Sequence, residues 1–406
     1  MAQNHSPLSF WKLWTASALS NLSDGVGVVV MPLLAADPTQ VAGLFFANRV
    51  SWLIFPLLSG ALVDRLDRRR TMAISNVLRA GLLGVLGLTV LMGWSSLWLL
   101  YIVAFLLGMI ETFYDNAAQA ILPTIVTKAH LTQANARIQS IELINNQFIG
   151  PTLSDFLFAI AMALPFLLNG AAFAITVLFI LALPGSFRPS HTQPLQPRTL
   201  LNEIGEGIVW LWDHHLIRSL AILLCLSNMM GAATGAILVL FAQDVLGLNE
   251  VGFGLLTAAT AIGGVFGSFV ASQITQRLGP KQALVGSLLG MAIAPLIIAL
   301  TTNVFLVGTM YALIGFAAVI WNVITISLRQ SIVPEELFGR VNSVYRLLGL
   351  GGTAVGALIG GWLAQLFGLT APFWVAAGVT TLLALVALRI ISVQQIKQAQ
   401  ELSSPS

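Results

Sequence analysis

"GALVDRLDRRRTM", residues 60–72, sets four arginines and two aspartates between two long apolar runs. The run before it, "QVAGLFFANRVSWLIFPLLSGALV" (40–63), and the run after it, "TMAISNVLRAGLLGVLGLTVLMG" (71–93), each carry one arginine. A membrane span needs about 20 mostly apolar residues. Both runs meet that length, and the charged knot between them is too polar for hydrocarbon. The stretch reads as a tight turn at one membrane face, joining two antiparallel helices.

The rest of the chain agrees. Of 406 residues, 57% are hydrophobic and 9% are charged, with a mean hydropathy of +0.88. Soluble domains carry about 25% charged residues, so that class is excluded. The single cysteine, Cys225, lies in an apolar run. It offers neither a disulfide framework nor a Cys/His metal spacing, and no metal or cofactor is expected. A pI near 9.3 rests on a formal charge of only +3. No nucleic-acid partner is expected from so small an excess. The N-terminal "MAQNHSPLSFWKLW" lacks the basic region and short apolar segment of a cleaved signal.

Twelve runs have the length and apolarity of a span: 10–35, 40–63, 71–93, 96–122, 136–160, 164–185, 216–242, 251–275, 281–301, 304–328, 340–366 and 371–391. Nearly all Lys and Arg fall in "DRLDRRR", "VTKAHLTQANAR", "QRLGPK", "LRQSIVPEELFGR", the middle loop and the two tails. The alternate turns, such as "MGWSS" and "FGLTA", have none. The positive-inside rule then places both termini in the cytoplasm of a cell (inner) membrane. Only Arg49, Arg79 and Arg346 stay inside spans. Residues 185–199, "GSFRPSHTQPLQPRT", read as a linker. The apolar spacing after it, at 201, 204, 208 and 211–212, predicts an amphipathic helix on the membrane surface.

The halves echo each other. "LSNLSDGVG" (19–27) matches "LSNMMGAAT" (226–234), and "GMIETFYDNAAQ" (108–119) lines up with "GFAAVIWNVITI" (315–326). "ANARIQSIEL" lines up with "LFGRVNSVYR". The expected organisation is an N-terminal six-helix bundle (1–185), a linker with its surface helix (186–215), a C-terminal six-helix bundle (216–391) and a tail (392–406). Parallel repeats of this kind suggest a transporter with its site near the midplane.

Carboxylates inside the membrane are costly and mark function by default. At about 1.5 Å per helical residue, Asp24 and Glu111 fall near the middle, level with Arg49. Asp115 and Glu142 fall lower, near Arg79, and Asp155 near the outer end of its span. The C-terminal half puts Gly231, Ala318, Asn322 and Tyr345 where its twin has Asp24, Glu111, Asp115 and Glu142. An acid set confined to one half suggests that this half handles protons or cations. Desolvation favours the neutral form of a carboxyl group, so an acid exposed alternately to two compartments can load and release a proton. Two readings stay open for Asp24 and Glu111: carriers of a proton or substrate cation, with Asn21 and Arg49 beside them, or partners in ion pairs that lock helices together. Asp115 and Glu142 read as paired, gating residues. Gly150-Pro151 should bend the fifth span, because proline removes a backbone donor. Gly-rich stretches such as "GLGGTAVGALIGG" read as close helix packing.

The opening stretch also resembles the signature between the second and third spans of the major facilitator superfamily, Gly-x-Leu-x-Asp-Arg-x-Gly-Arg-Arg/Lys. Gly60, Leu62, Asp64, Arg65, Arg68 and Arg69 match, and Asp67 replaces the second glycine. The second copy, "SQITQRLGPK", has Gln276 in place of the aspartate. "SNLSDGV", "ETFYDNAAQAILP", "NQFIGP" and "FGRVNSVYRLLG" resemble the branch that holds macrolide-efflux proteins and the enterobactin exporter. The resemblance implies twelve membrane helices in two pseudo-twofold-related bundles and proton-driven export of a small amphipathic molecule. It implies that Asp64 faces the start of the eleventh span, beside Arg340, where a carboxylate gains about 0.3–1 kcal/mol from a helix N-terminus. The Arg65–Arg69 cluster would anchor the turn to anionic lipid. Two departures stand out. Ala104 occupies the place of the fourth-span arginine of many drug–proton antiporters. Ser154-Asp155 replace two glycines of the fifth-span signature.

The expected protein is an all-α integral membrane transporter, acting as a monomer on a small-molecule substrate and protons. An uptake permease, a uniporter or a lysolipid flippase would share the fold, and a membrane receptor is a further alternative. No buried nucleophile with a histidine and no metal cluster suggests an enzyme.

Overall fold

In hydrocarbon every backbone N–H and C=O must find its partner within its own segment, so each apolar run has to become a helix. The computed structural model describes residues 7–34, 38–94, 96–185, 187–188 and 197–391. Among these residues the secondary structure is helical, with no strand. Each of the twelve expected spans falls on a helix or on a broken helix. Among the described residues, nine helices are individually long and apolar enough to cross a membrane, and one bent pair makes a tenth. Outer faces are apolar, with Trp98, Phe266 and Leu358 more than half exposed. Such large apolar surfaces are what a bilayer covers.

The chain divides into two compact units. The first holds α1 (Pro7–Leu33), α2 (Pro38–Ile54), α3 (Pro56–Val63), α4 (Arg68–Leu91) and α5 (Leu97–Ile125). After them come α6 (Leu131–Ile144), α7 (Gly150–Ile160), α8 (Leu164–Leu181) and most of α9 (Pro197–Asp213). Residues Val333–Val344 belong to this unit too, while Asn135–Ser140 of α6 cluster with the second. The second unit contains α10 (His215–Ala236), α11 (Leu238–Leu240), α12 (Glu250–Leu278), α13 (Pro280–Leu300), α14 (Val304–Ile332), most of α15 (Phe338–Phe367) and α16 (Ala371–Ile390).

Local chemistry sets the ends and breaks. Asp67, the residue that departs from the family signature, caps α4 by accepting the Arg70 N–H at 3.1 Å. Ser96 caps α5 and Asn249 caps α12 in the same way. Pro56 cannot donate to the preceding turn, and the second span breaks there into α2 and α3, bent by 50°. The fifth span is also broken. A π-turn at Asn145–Ile149 separates α6 from α7 just ahead of Gly150-Pro151. The amphipathic helix covers Pro197–Asp213, with Ile208, Val209 and Trp212 exposed.

Close packing explains the glycine-rich stretches. On α15, Gly352, Gly356 and Gly360 lie against the carbonyls of Cys225, Met229 and Ala233 on α10, leaving no room for a methyl group. Gly263 of α12 and Gly315 of α14 meet the facing helix backbone in the same manner. Small residues let membrane helices approach this closely.

Candidate functional site

The site in the first unit is built around α1. Asn145 of the π-turn donates to the Ala18 carbonyl at 2.7 Å, and Asn169 of α8 donates to the Ser23 carbonyl at 2.7 Å. Gly25 and Gly150 pack backbone to backbone beside this point, where a Cβ on either would collide. Asp24 is therefore held on a pinned segment.

Its partner comes from α4. The Arg79 guanidinium is buried, with Nη1 3.5 Å from Asp24 Oδ1 and 3.3 Å from Ser20 Oγ. The rings of Tyr114 and Phe173 each lie 5.2 Å from it. Asp24, Glu111 and Asp115 all lie within electrostatic reach of this one cation. A buried guanidinium is tolerated only with such compensation.

A cavity of about 550 Å³ opens beside the pair. Asp24, Glu111 and Glu142 line it. Asn48, Asn146, Gln147 and Asn169 add amides, and Trp52, Phe173, Leu44, Leu83 and Leu107 add apolar wall. An apolar chamber with a few convergent polar groups is the common form of a small-molecule site. The π-turn has a visible use here, because it brings Asn146 and Gln147 to the wall next to Pro151. Such bulges often occur at functional sites.

A second cluster lies at the α3–α4 turn. Asp64 Oδ1 accepts the Gly339 N–H at 2.6 Å, and Oδ2 accepts the Arg340 N–H at 3.0 Å. Arg340 Nε is 3.6 Å from Asp64 Oδ2, and its Nη1 is 2.7 Å from Glu206 Oε2 on α9. Gly60 is required, since a side chain there would strike Ser343 and the Gly339 carbonyl. Burial pushes the Asp64 carboxyl up to about 7, against the opposing pull of the Arg340 and Gly339 N–H donors and of the Arg68 and Arg340 charges. Nearby, Asn116 donates to Ser59 Oγ at 2.7 Å and to Ser343 Oγ at 3.2 Å, while Asn342 donates to Asn116 Oδ1 at 3.0 Å. The second unit has a similar uncharged knot. Asn135 donates to Ser327 Oγ at 2.9 Å and to Gln330 Oε1 at 2.6 Å, and the Ser140 and Ser268 hydroxyls are 2.6 Å apart.

Several expectations change. Arg79, expected level with Asp115 and Glu142, makes its ion pair with Asp24, and Asp115 is within electrostatic reach of it as well. Glu142 lines the same cavity as Glu111. Asn21 is half-buried one turn before Asp24 and outside the cavity wall. Arg68 is fully buried and not a lipid anchor: it donates to Glu335 Oε1 at 2.7 Å, to the Glu335 carbonyl at 2.9 Å and to the Ala120 carbonyl at 3.1 Å. Arg65 is buried too, and Arg69 donates to the Leu183 carbonyl at 2.7 Å. Arg346 belongs to the second unit, within electrostatic reach of Arg329. The side chains of Arg49 and Asp155 lie outside the described residues, as do most of the linker and the C-terminal tail.

The sequence reading missed Arg329, which seemed part of a turn. It lies inside α14, buried, with the Tyr345 ring 3.8 Å from its guanidinium. It also missed the asparagines that pin α1. Their only sequence signal was an amide inside an apolar run.

A family model described as Major Facilitator Superfamily matches residues 13–351 and 220–405. The chain is similar to the multidrug efflux pump Tap of Mycolicibacterium fortuitum, 25% identical over 95% of this chain and 96% of that one. It is 28% identical to the enterobactin exporter EntS of Citrobacter koseri, over 83% of this chain and 80% of that protein. Among solved structures, a bacterial homologue of the iron transporter ferroportin shares the fold, with a TM-score of 0.75 at 19% identity over 94% of this chain and 99% of the other.

Proposed function

The chain belongs to the Major Facilitator Superfamily, and from that premise we propose that this transporter exports a small hydrophobic or amphipathic compound in exchange for protons. The relatives named as a multidrug efflux pump and an enterobactin exporter support export as the direction. The charge pattern of the loops supports an inner-membrane protein with both termini cytoplasmic. It acts as a monomer.

The observation that carries the reading is the placement of Asp24, paired with Arg79, on the wall of a cavity that Glu111 shares. Glu111 takes up a proton when the cavity faces the more acidic side. That proton removes one negative charge from the surroundings of Arg79 and so shifts the balance of its ion pair with Asp24. Release on the other side restores the charge. Arg49, one residue from Asn48 on the cavity wall, modulates both acids. Gly60, Asp64, Arg65, Arg68, Arg69 and Arg340 hold the turn that regulates opening, with Asp115 and Arg346 as further charged groups of the gates.

An imposed pH gradient in proteoliposomes tests this reading. Antiport predicts substrate accumulation against its gradient, abolished by a protonophore. Flux that only equilibrates the substrate would identify a uniporter instead.

A further inference from the structure

We propose that Arg329 holds a small inorganic anion of the halide type, chloride in the cell, inside the second unit. Arg329 lies in the last turn of α14 and is 3% exposed. Two of its donors, Nε and Nη1, are buried without a hydrogen-bond partner among the described residues. The Tyr345 ring of α15 covers the guanidinium, with its centroid 3.8 Å from the central carbon. The Tyr345 hydroxyl is within hydrogen-bonding reach of Arg329, but a phenol brings no full negative charge. That hydroxyl also donates to the Leu220 carbonyl of α10 at 3.4 Å, so the guanidinium sits where α10, α14 and α15 meet. Among the described residues, the charged group within electrostatic reach is Arg346, which has the same sign.

The acids of the second unit that the structure describes lie elsewhere. Asp213 is exposed ahead of α10, and Asp244 and Glu250 flank the turn before α12. Short turns join α12 to α13 and α13 to α14, so the three helices alternate in direction and Glu250 lies at the end where α14 begins. From Val304 to Arg329, α14 rises about 38 Å. A buried cation with unspent donors and no acid in reach is costly, and ionisable groups inside membrane bundles are accordingly paired. A bound anion supplies the missing charge and accepts the idle N–H groups through charge-assisted hydrogen bonds. Its class follows from the surroundings. The Tyr345 ring fills one face of the guanidinium and both idle donors are enclosed, so a bulky organic anion does not fit. A halide is small, needs no oriented lone pair and carries the single charge that offsets one guanidinium.

A ligand that binds only the folded chain raises its melting temperature in a saturable manner. The full chain in nanodiscs is therefore melted in sodium gluconate progressively replaced by sodium chloride at constant ionic strength. The expected result is a saturable rise of about 2–4 °C, reproduced by bromide. Arg329→Gln, which removes the charge, should melt at the same temperature in both salts. Identical melting of wild-type protein in gluconate and chloride, or a full chloride shift in Arg329→Gln, would overturn the proposal. Bromide soaked into crystals of wild-type protein gives a second readout that needs no variant. Its anomalous scattering should place an ion within hydrogen-bond reach of Arg329 Nε or Nη1, and the lack of a peak there would overturn the site. Neither readout involves substrate or a pH gradient, so both are independent of proton-driven export.

Discussion

Arg79 on α4 reaches Asp24 on α1, with Nη1 3.5 Å from Oδ1, and joins two helices whose charges the chain otherwise keeps far apart in sequence. The guanidinium is 1% exposed and the carboxylate 24% exposed. Removing one partner from such a pair leaves a buried charge uncompensated, at a cost of about 3 kcal/mol. Arg79→Met should therefore lower stability by about that amount. Adding Asp24→Asn should return part of it, at least about 1 kcal/mol, because the orphaned charge goes too. Denaturant unfolding of the two single variants and the double variant measures the coupling, and simple additivity would contradict the pair.

Asp64 makes a pH-dependent contact with the start of α15. Its carboxyl is raised from 3.8 to about 7, burial being the largest cause. An acid with a raised pKa contributes stability that is full below its unfolded value and is lost as pH rises through its folded value. Wild-type protein should therefore lose thermal stability relative to Asp64→Asn between about pH 4 and about pH 7. Parallel melting-temperature profiles for the two proteins would exclude a titrating Asp64.

Asp67 stands where the family signature has glycine, and the structure shows why the exchange is tolerated. Its carboxylate caps α4 through the Arg70 N–H at 3.1 Å. Asp67→Ala should cost about 1 kcal/mol, whereas Asp67→Ser should be nearly neutral. Thermal unfolding in detergent reads both, and equal losses would mean that the cap contributes nothing.

The crossing of Gly25 and Gly150 has no room for a methyl group, because a Cβ at Gly150 would sit 2.7 Å from the Gly25 backbone and the Asn145 carbonyl. Gly150→Ala should destabilise the protein by about 1–3 kcal/mol and weaken substrate binding, since the same π-turn carries Asn146 and Gln147 to the cavity. A variant as stable as wild type with unchanged binding would show that the crossing is loose.

Much of this was legible in the sequence, for physical reasons. Run length and the one-sided arginines identify spans and turns, since hydrocarbon enforces both. The Asp64 contact followed from the family signature. What failed was azimuth and reach. Counting residues gives the height of Asp24 and Arg79 along their helices, but not which neighbour each faces. Arg68 looked like a lipid anchor because four arginines within six residues suggest solvent, yet it is buried and pairs with Glu335, far along the chain. Glu142 was expected below Glu111, and that both line one cavity could not be read from spacing along two separate helices. Arg329 was hidden because α14 runs to Ile332, several residues past its apolar run.

Glu111 is proposed to carry the proton whose movement drives transport. Purified wild-type protein and Glu111→Gln, each reconstituted in proteoliposomes, are compared in two modes: uptake driven by an imposed pH gradient, and exchange of labelled for unlabelled substrate at equal pH. The account predicts that Glu111→Gln loses gradient-driven accumulation by at least about tenfold, a change of about 1.4 kcal/mol, while exchange persists. Undiminished gradient-driven accumulation in Glu111→Gln would contradict it.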